Sequence, residues 1–231
     1  MADGASSLGR IVVVTGATGP LGSALARRFA ELGDRIVLLG RSMERLAVIE
    51  RELAGAPARH LSLEADLDRA DDLVAMARSV RERLGPPAIL LNAVGGYQGG
   101  NGLVETEAGE IGAMLAAHAV STFNTLRAFL PDIREVDGGR IVTFSSPFAQ
   151  APSATAAAYA AAKAALEAIT LSVARELAST NATANVITVR TIGSTRRSET
   201  RPEDIAETVV WLCSPAAATV NGAQIAMHGR T

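Results

Sequence analysis

Short uninterrupted apolar runs alternate along the chain with longer stretches in which apolar residues recur every three or four positions. The short runs are rich in β-branched residues and lack polar alternation. They fall at 11–15, 35–39, 88–92, 140–144, 185–189 and 223–227, with a weaker one at 59–64. Seven runs of this kind predict seven strands buried on both faces, the pattern of a parallel sheet covered by helices. The amphipathic stretches predict helices over 21–32, 43–53, 70–84, 107–136, 156–177 and 202–212. Pro202, Glu203 and Asp204 suit the first turn of the last helix, because proline has no N–H to leave unbonded and acids favour the positive dipole end. Strand and helix alternate throughout. The expected fold is therefore α/β: a Rossmann-type, doubly wound, seven-stranded parallel sheet with helices on both faces. No linker or repeat interrupts the pattern, so residues 1–231 read as one domain.

Composition narrows the possible functions. Hydrophobic residues make up 48% and charged residues 20%, enough for a core and too apolar for a disordered chain. Lys and Arg number 22 against 24 Asp and Glu, a formal charge of −2. Without a basic excess, no nucleic-acid partner is expected. Aromatics at 3% are too few for a base-stacking surface. The single cysteine, Cys213, forms no internal disulfide and no thiolate metal site, which fits the cytoplasm; it reads as a small buried hydrophobe. The apolar stretches fall short of a bilayer span, and the N-terminal MADGASSLGR lacks the apolar segment of a signal peptide, so no membrane is expected. His60 and His228 have no neighbours at metal-ligand spacing. Trp211 reads as core or interface.

The first strand runs directly into Gly16-Ala17-Thr18-Gly19-Pro20-Leu21-Gly22, and a helix follows. In this context glycines permit a tight turn, close approach of backbone to a pyrophosphate and close helix–strand packing, while the helix N-terminus offers N–H donors. A sharp turn that merely needs glycine is the bland alternative. The second strand ends in Gly40-Arg41-Ser42, where an acid that reads the ribose is missing. A guanidinium there pairs bidentately with a phosphate, so NADP(H) is favoured over NAD(H); a solvent-exposed arginine at a helix start is the alternative. Tyr159 precedes Lys163 by four residues, and on a helix such positions share a face. An ammonium beside a phenol is expected to lower the phenol's pKa and fit it for proton transfer. Ser146 stands thirteen residues before Tyr159 at the end of the fifth strand. Two loops, 95–102 (GGYQGGNG) and 191–201, follow strands where ligands of open α/β sheets sit. Tyr97 in the first of them is a candidate pocket residue, and Arg196-Arg197 in the second reads as a solvated loop or a contact for an acidic group.

Together, TGATGPLG at 15–22, Asp66-Leu67, Asn92-Ala93-Val94-Gly95 and the Ser146/Tyr159/Lys163 set resemble the short-chain dehydrogenase/reductase family over essentially the whole chain. The resemblance implies an oxidoreductase that transfers a hydride between NADP(H) and a small carbonyl or alcohol substrate. Tyr159 would be the general acid or base, Lys163 would bond the nicotinamide ribose, and Ser146 would polarise the carbonyl. Gly16, Thr18, Gly19, Pro20 and Leu21 would follow the pyrophosphate. Arg41 and Ser42 would meet the 2′-phosphate, and Asp66 and Leu67 would hold the adenine. Asn92, Ala93, Val94 and Gly95 would run beside the ribose, with Thr191 and Ile192 beside the nicotinamide. Several positions depart from the family pattern. The glycines are spaced TGxxGxxG, as in its extended and atypical branches. His118 stands where the family has an Asn that holds a proton relay; it either replaces the relay or merely packs. Val189-Arg190 replaces Pro-Gly, the lid over 191–201 is short, and the terminal Asp-Gly-Gly becomes His228-Gly229-Arg230. These departures leave two other functions open: an NADP(H)-binding sensor or scaffold with little catalysis, and an isomerase or lyase on the same fold. A homodimer or homotetramer is expected, packed through the two long helices or the C-terminal segment.

Overall fold

The computed structural model describes residues 9–55 and 58–229. The readings of the N-terminal MADGASS and of Arg230 therefore lie outside the described residues. The apolar runs form seven strands: β1 Ile11–Thr15, β2 Arg35–Gly40, β3 Leu61–Glu64, β4 Ile89–Asn92, β5 Arg140–Ser145, β6 Thr183–Val189 and β7 Gln224–Met227. The helices are α1 Pro20–Glu31, α2 Met43–Leu53, α3 Ala70–Leu84, α4 Ala108–Met114, α5 Ser121–Glu135, α6 Ala157–Glu176 and α7 Pro202–Leu212. Strand and helix ends move by one or two residues from the expected bounds, as fraying ends do.

All seven strands are parallel and ordered β3-β2-β1-β4-β5-β6-β7. The doubly wound expectation holds. Side chains alternate along each strand, so the apolar runs feed two cores. Val12 and Val14 pack with Leu25 and Phe29 of α1 and Val209 of α7 on one face. Ile11 and Val13 pack with Val80 of α3 and Phe129 of α5 on the other. The chain winds outward from β1 to β3, then restarts at β4 on β1's other side. The crevice at that reversal is where such sheets bind ligands.

The expected continuous helix 107–136 is three pieces. Between α4 and α5, residues Leu115–Val120 form a π-helical turn. Ser121 Oγ donates to the Ala117 carbonyl at 2.8 Å, and Thr125 Oγ1 donates to the Ser121 carbonyl at 2.7 Å. Such bonds compete with the regular ladder and accompany a local change of helix pitch. The expectation that no apolar stretch reaches span length also needs correction. Ala157–Ser179 is long and apolar enough by composition alone. It packs against β5 and β6 instead, burying Ala162, Leu166 and Thr170. Cys213 is buried at 2% exposure as expected, whereas Trp211, at 46%, is not core.

Candidate active site

The glycine turn builds the first wall of the site. Gly16 has φ +63, and a Cβ there would meet the Ala93 carbonyl at 2.6 Å, so only glycine lets the β1 loop lie against the β4 loop. A Cβ on Gly22 would collide with the Gly16 carbonyl oxygen and with Ala17 Cα, so α1 closes on the turn only without a side chain. Gly19 differs: a Cβ would meet only the Gly16 oxygen, at 3.4 Å. It lines the crevice together with Pro20, Leu21 and Gly22. The first turn of α1 has no side-chain cap and no acid, so its leading N–H groups are available to an anion.

The remaining walls come from the loops after β4, β5 and β6, from the Leu115–Val120 turn and from α6. They enclose a cleft of about 570 Å³ with Ala93, Val94, Gly95 and Gly96 on one side. Tyr97, His118, Ser146, Phe148, Tyr159 and Lys163 line it as well, as do Val189 to Ile192. Expected site residues from six separate segments are thereby brought together.

Ser146 is 3% exposed and begins the short turn Pro147–Ala149, its Oγ accepting from Phe148 N at 3.3 Å. Lys163 is buried on α6 and donates from Nζ to the Phe144 carbonyl at 2.8 Å. Burial lowers its pKa to about 8, against a smaller upward pull from Glu167 one turn on. Its Nζ lies 5.8 Å from the centre of the Tyr159 ring. The expected lowering of the Tyr159 pKa by Lys163 is not found. Burial raises that pKa, hydrogen bonding with Ser146 lowers it in part, and Tyr97 adds a further rise. The ammonium is spent on a backbone carbonyl, and desolvation of the phenol dominates.

His118 is 1% exposed on the π-helical turn. Its Nε2 lies 2.8 Å from the Gly96 carbonyl, which only accepts, so Nε2 carries the proton. Nδ1 is a buried acceptor with no partner among the described residues. Burial, and then the Lys163 charge, push its pKa down to about 4, so the ring is neutral at pH 7. Its ring is nearly perpendicular to that of Tyr159, with 5.4 Å between ring centres.

Other expected residues lie elsewhere. Arg41 and Asp66 are exposed at the ends of β2 and β3. Ser42 caps α2, its hydroxyl accepting from Arg45 N at 3.3 Å. Thr18 is half-buried in the glycine turn. Asn92 and Leu67 need correction as contact residues. Asn92 is fully buried, accepting from Thr15 Oγ1 at 2.7 Å and donating to Thr122 Oγ1 at 2.8 Å. Its side chain ties β1, β4 and α5 together. Leu67 belongs to the core under α3 and α5. The structure adds Arg45, whose guanidinium donates to the Thr18 carbonyl at 3.2 Å and so hangs beside the glycine turn. Its position in the first turn of α2, three residues after the capping Ser42, is the signal in the sequence that would have found it. Phe148, two residues after Ser146, goes unsignalled because an isolated Phe reads as core.

The family model for short chain dehydrogenases matches residues 10–205. An NADPH-dependent pterin aldehyde reductase from Arabidopsis thaliana is 31% identical over 168 residues, covering 73% of this chain and 69% of that protein. An uncharacterized oxidoreductase from Staphylococcus epidermidis is 30% identical over 221 residues, 92% of this chain and 94% of that one. Among solved structures, L-sorbose reductase from Gluconobacter frateurii in complex with NADPH and L-sorbose superposes with a TM-score of 0.87. It is 25% identical and covers 96% of this chain and 95% of that one.

Proposed function

The chain belongs to the short-chain dehydrogenase/reductase family, and on that premise we propose that this oxidoreductase reduces a small aldehyde or ketone with NADPH, Tyr159 delivering the proton. The observation that supports this most is the convergence of Ser146, Tyr159 and Lys163 on the cleft that the glycine turn opens. The cradle fits a dinucleotide. Gly19 leaves room for a pyrophosphate at the uncapped start of α1, and Arg41, Ser42 and Arg45 put a hydroxyl and two guanidiniums at the ribose end. An NADPH-dependent relative and a structural neighbour solved with NADPH support the same choice. The cofactor supplies the hydride.

The residues supply positioning and a proton. Ser146 holds the substrate carbonyl oxygen and polarises it. Tyr159, kept protonated by its raised pKa, gives its proton as negative charge develops on that oxygen. Once the phenolate forms, the Lys163 ammonium attracts it, a stabilisation absent from the neutral ground state. His118 stays neutral, and its free Nδ1 takes the relay position. Alcohol oxidation runs the same proton backwards. The buried free thiol of Cys213 fits a cytoplasmic setting. Two or four copies associate through α4 and α5, whose solvent side carries apolar residues.

Fluorescence titration of NADPH and NADH against the wild type and Arg41→Ala tests the cofactor. Tighter NADPH binding that Arg41→Ala abolishes is expected; equal affinity in the wild type removes the assignment. Tyr159→Phe is expected to bind NADPH normally and to lose carbonyl reduction by more than about a hundredfold, the scale of a lost general acid. Tight NADPH binding without turnover over a broad panel of carbonyls and alcohols would instead identify a sensor. Altered substrate with unchanged NADPH would identify an isomerase or lyase.

A further inference from the structure

The surroundings of Tyr159 carry information about the substrate that the catalytic residues do not. Three rings stand nearly perpendicular to it in T-shaped pairs. Tyr97 lies at 5.1 Å between ring centres and 75°, His118 at 5.4 Å and 84°, and Phe148 at 6.4 Å and 89°. These are favourable aromatic geometries, gathered in a chain with only two Tyr, five Phe and one Trp. Tyr97 nevertheless keeps 59% of its surface exposed, so much of its ring remains open to another partner.

Its position is built in. The Gly100 N–H donates to the Thr155 carbonyl at 2.7 Å, which folds the 95–102 loop back over the start of α6. A Cβ on Gly99 would meet the Tyr97 hydroxyl at 2.7 Å and the Thr155 oxygen at 2.8 Å. The loop therefore needs its glycine to lay Tyr97 where it is. Charge is scarce in the cleft. Among the described lining residues of the cleft there is no carboxylate. The Lys163 ammonium is buried and bonded to the Phe144 carbonyl. Arg190 is the other cation, next to Thr191 and Ile192 on the loop after β6.

Resting on the carbonyl-reductase reading, we propose that the substrate is an uncharged aldehyde or ketone whose carbonyl bears an aromatic ring. Tyr97 and Phe148 select that ring by aromatic contacts beside Tyr159. A planar ring can stack on or meet edge-to-face either of these rings, whereas an aliphatic group of equal size gains only burial.

Benzaldehyde, cyclohexanecarbaldehyde and 4-carboxybenzaldehyde separate the possibilities. The quantity read is kcat/KM for benzaldehyde over that for cyclohexanecarbaldehyde, compared between wild type and variant so that intrinsic reactivity cancels. Tyr97→Ala and Phe148→Ala are each expected to lower this ratio about fivefold, and Tyr97→Phe to preserve it, since an aromatic contact of about 1 kcal/mol corresponds to a factor of about five. An unchanged ratio in both alanine variants overturns the proposal. So does a preference for 4-carboxybenzaldehyde over benzaldehyde, which would assign Arg190 to a substrate anion. A second readout does not need turnover. Quenching of bound NADPH fluorescence in Tyr159→Phe is expected to show benzaldehyde binding about fivefold tighter than cyclohexanecarbaldehyde, with the difference erased by adding Tyr97→Ala. Equal binding in that experiment overturns the aromatic preference. Tighter benzaldehyde binding without reduction by the wild type leaves the preference standing and overturns the reductase reading.

Discussion

Lys163 holds its charge where water is excluded, and the protein is less stable for it. A lysine whose folded pKa is about 8, against 10.5 when unfolded, binds fewer protons folded than unfolded between those pH values. Stability from this group therefore rises with pH across that window, and the penalty is complete below pH 8. The difference corresponds to roughly 3 kcal/mol. Urea unfolding of wild type and Lys163→Met at pH 7.5 and 10.5 checks it. The wild type is expected to gain roughly 3 kcal/mol relative to the variant between the two pH values, and a constant difference would contradict the buried charge. His118 makes the opposite kind of statement: with a pKa near 4 its ring NMR signals are expected not to titrate between pH 5.5 and 8, and Nε2 is expected to carry the proton. Position along the chain was enough to expect Ser146, Tyr159 and Lys163 near one another, and all three line the cleft. What each charge does to its neighbour was not. A sequence places an ammonium four residues from a phenol, but it does not show that the ammonium turns to the Phe144 carbonyl.

The β1–α1 turn separates two duties that its glycines share in the sequence. Gly22→Ala drives a Cβ into backbone atoms of Gly16 and Ala17, which have no rotamer to yield. It is expected to lower stability by about 1–3 kcal/mol, as overpacking does, and to weaken NADPH binding through displacement of α1. Gly19→Ala meets one atom at ordinary contact distance and has φ −82, which any residue adopts. It is expected to leave the melting temperature within about 1 °C, a change well under 1 kcal/mol, while weakening NADPH at least tenfold. Melting curves and titrations of the two variants distinguish these duties, and equal loss of stability in both would refute the division. Strands and helices were legible because buried parallel strands repeat one apolar signature. The π-helical turn was not: Leu-Ala-Ala-His-Ala-Val has too little polar contrast to reveal a change of pitch over one turn. The strap after β6 reads as a polar loop, yet it is pinned. Glu199 accepts from Thr195 N at 2.9 Å and Arg196 N at 3.1 Å, and Thr200 Oγ1 donates to the Met227 carbonyl at 2.9 Å. Such bonds join positions whose sequence shows only a run of small polar residues.

At the scale of the whole molecule, the sheet order puts β1 and β4 side by side and opens the cleft between their loops. Both faces of that sheet are covered, so the helices present most of the outer surface, with β3 and β7 at the sheet edges. The broken helix exposes three apolar side chains: Ile111 on α4 is 42% exposed, Val120 44%, and Phe123 at the start of α5 53%. The π-helical turn between these helices also positions His118 against Gly96 and Tyr159, so the same element serves the outer surface and the site. Association across α4 and α5 would cover the apolar residues and clamp the helix that carries His118. Phe123→Glu places a charge in that surface without touching either core. It is expected to convert a wild-type dimer or tetramer to monomers in light scattering at micromolar concentration. If the clamp matters, the monomer loses activity while its thermal melt stays cooperative, because the sheet and both cores are complete within one chain. A wild-type monomer, or an unchanged assembly in the variant, would refute the interface, and a fully active monomer would show that His118 needs no support from a second copy.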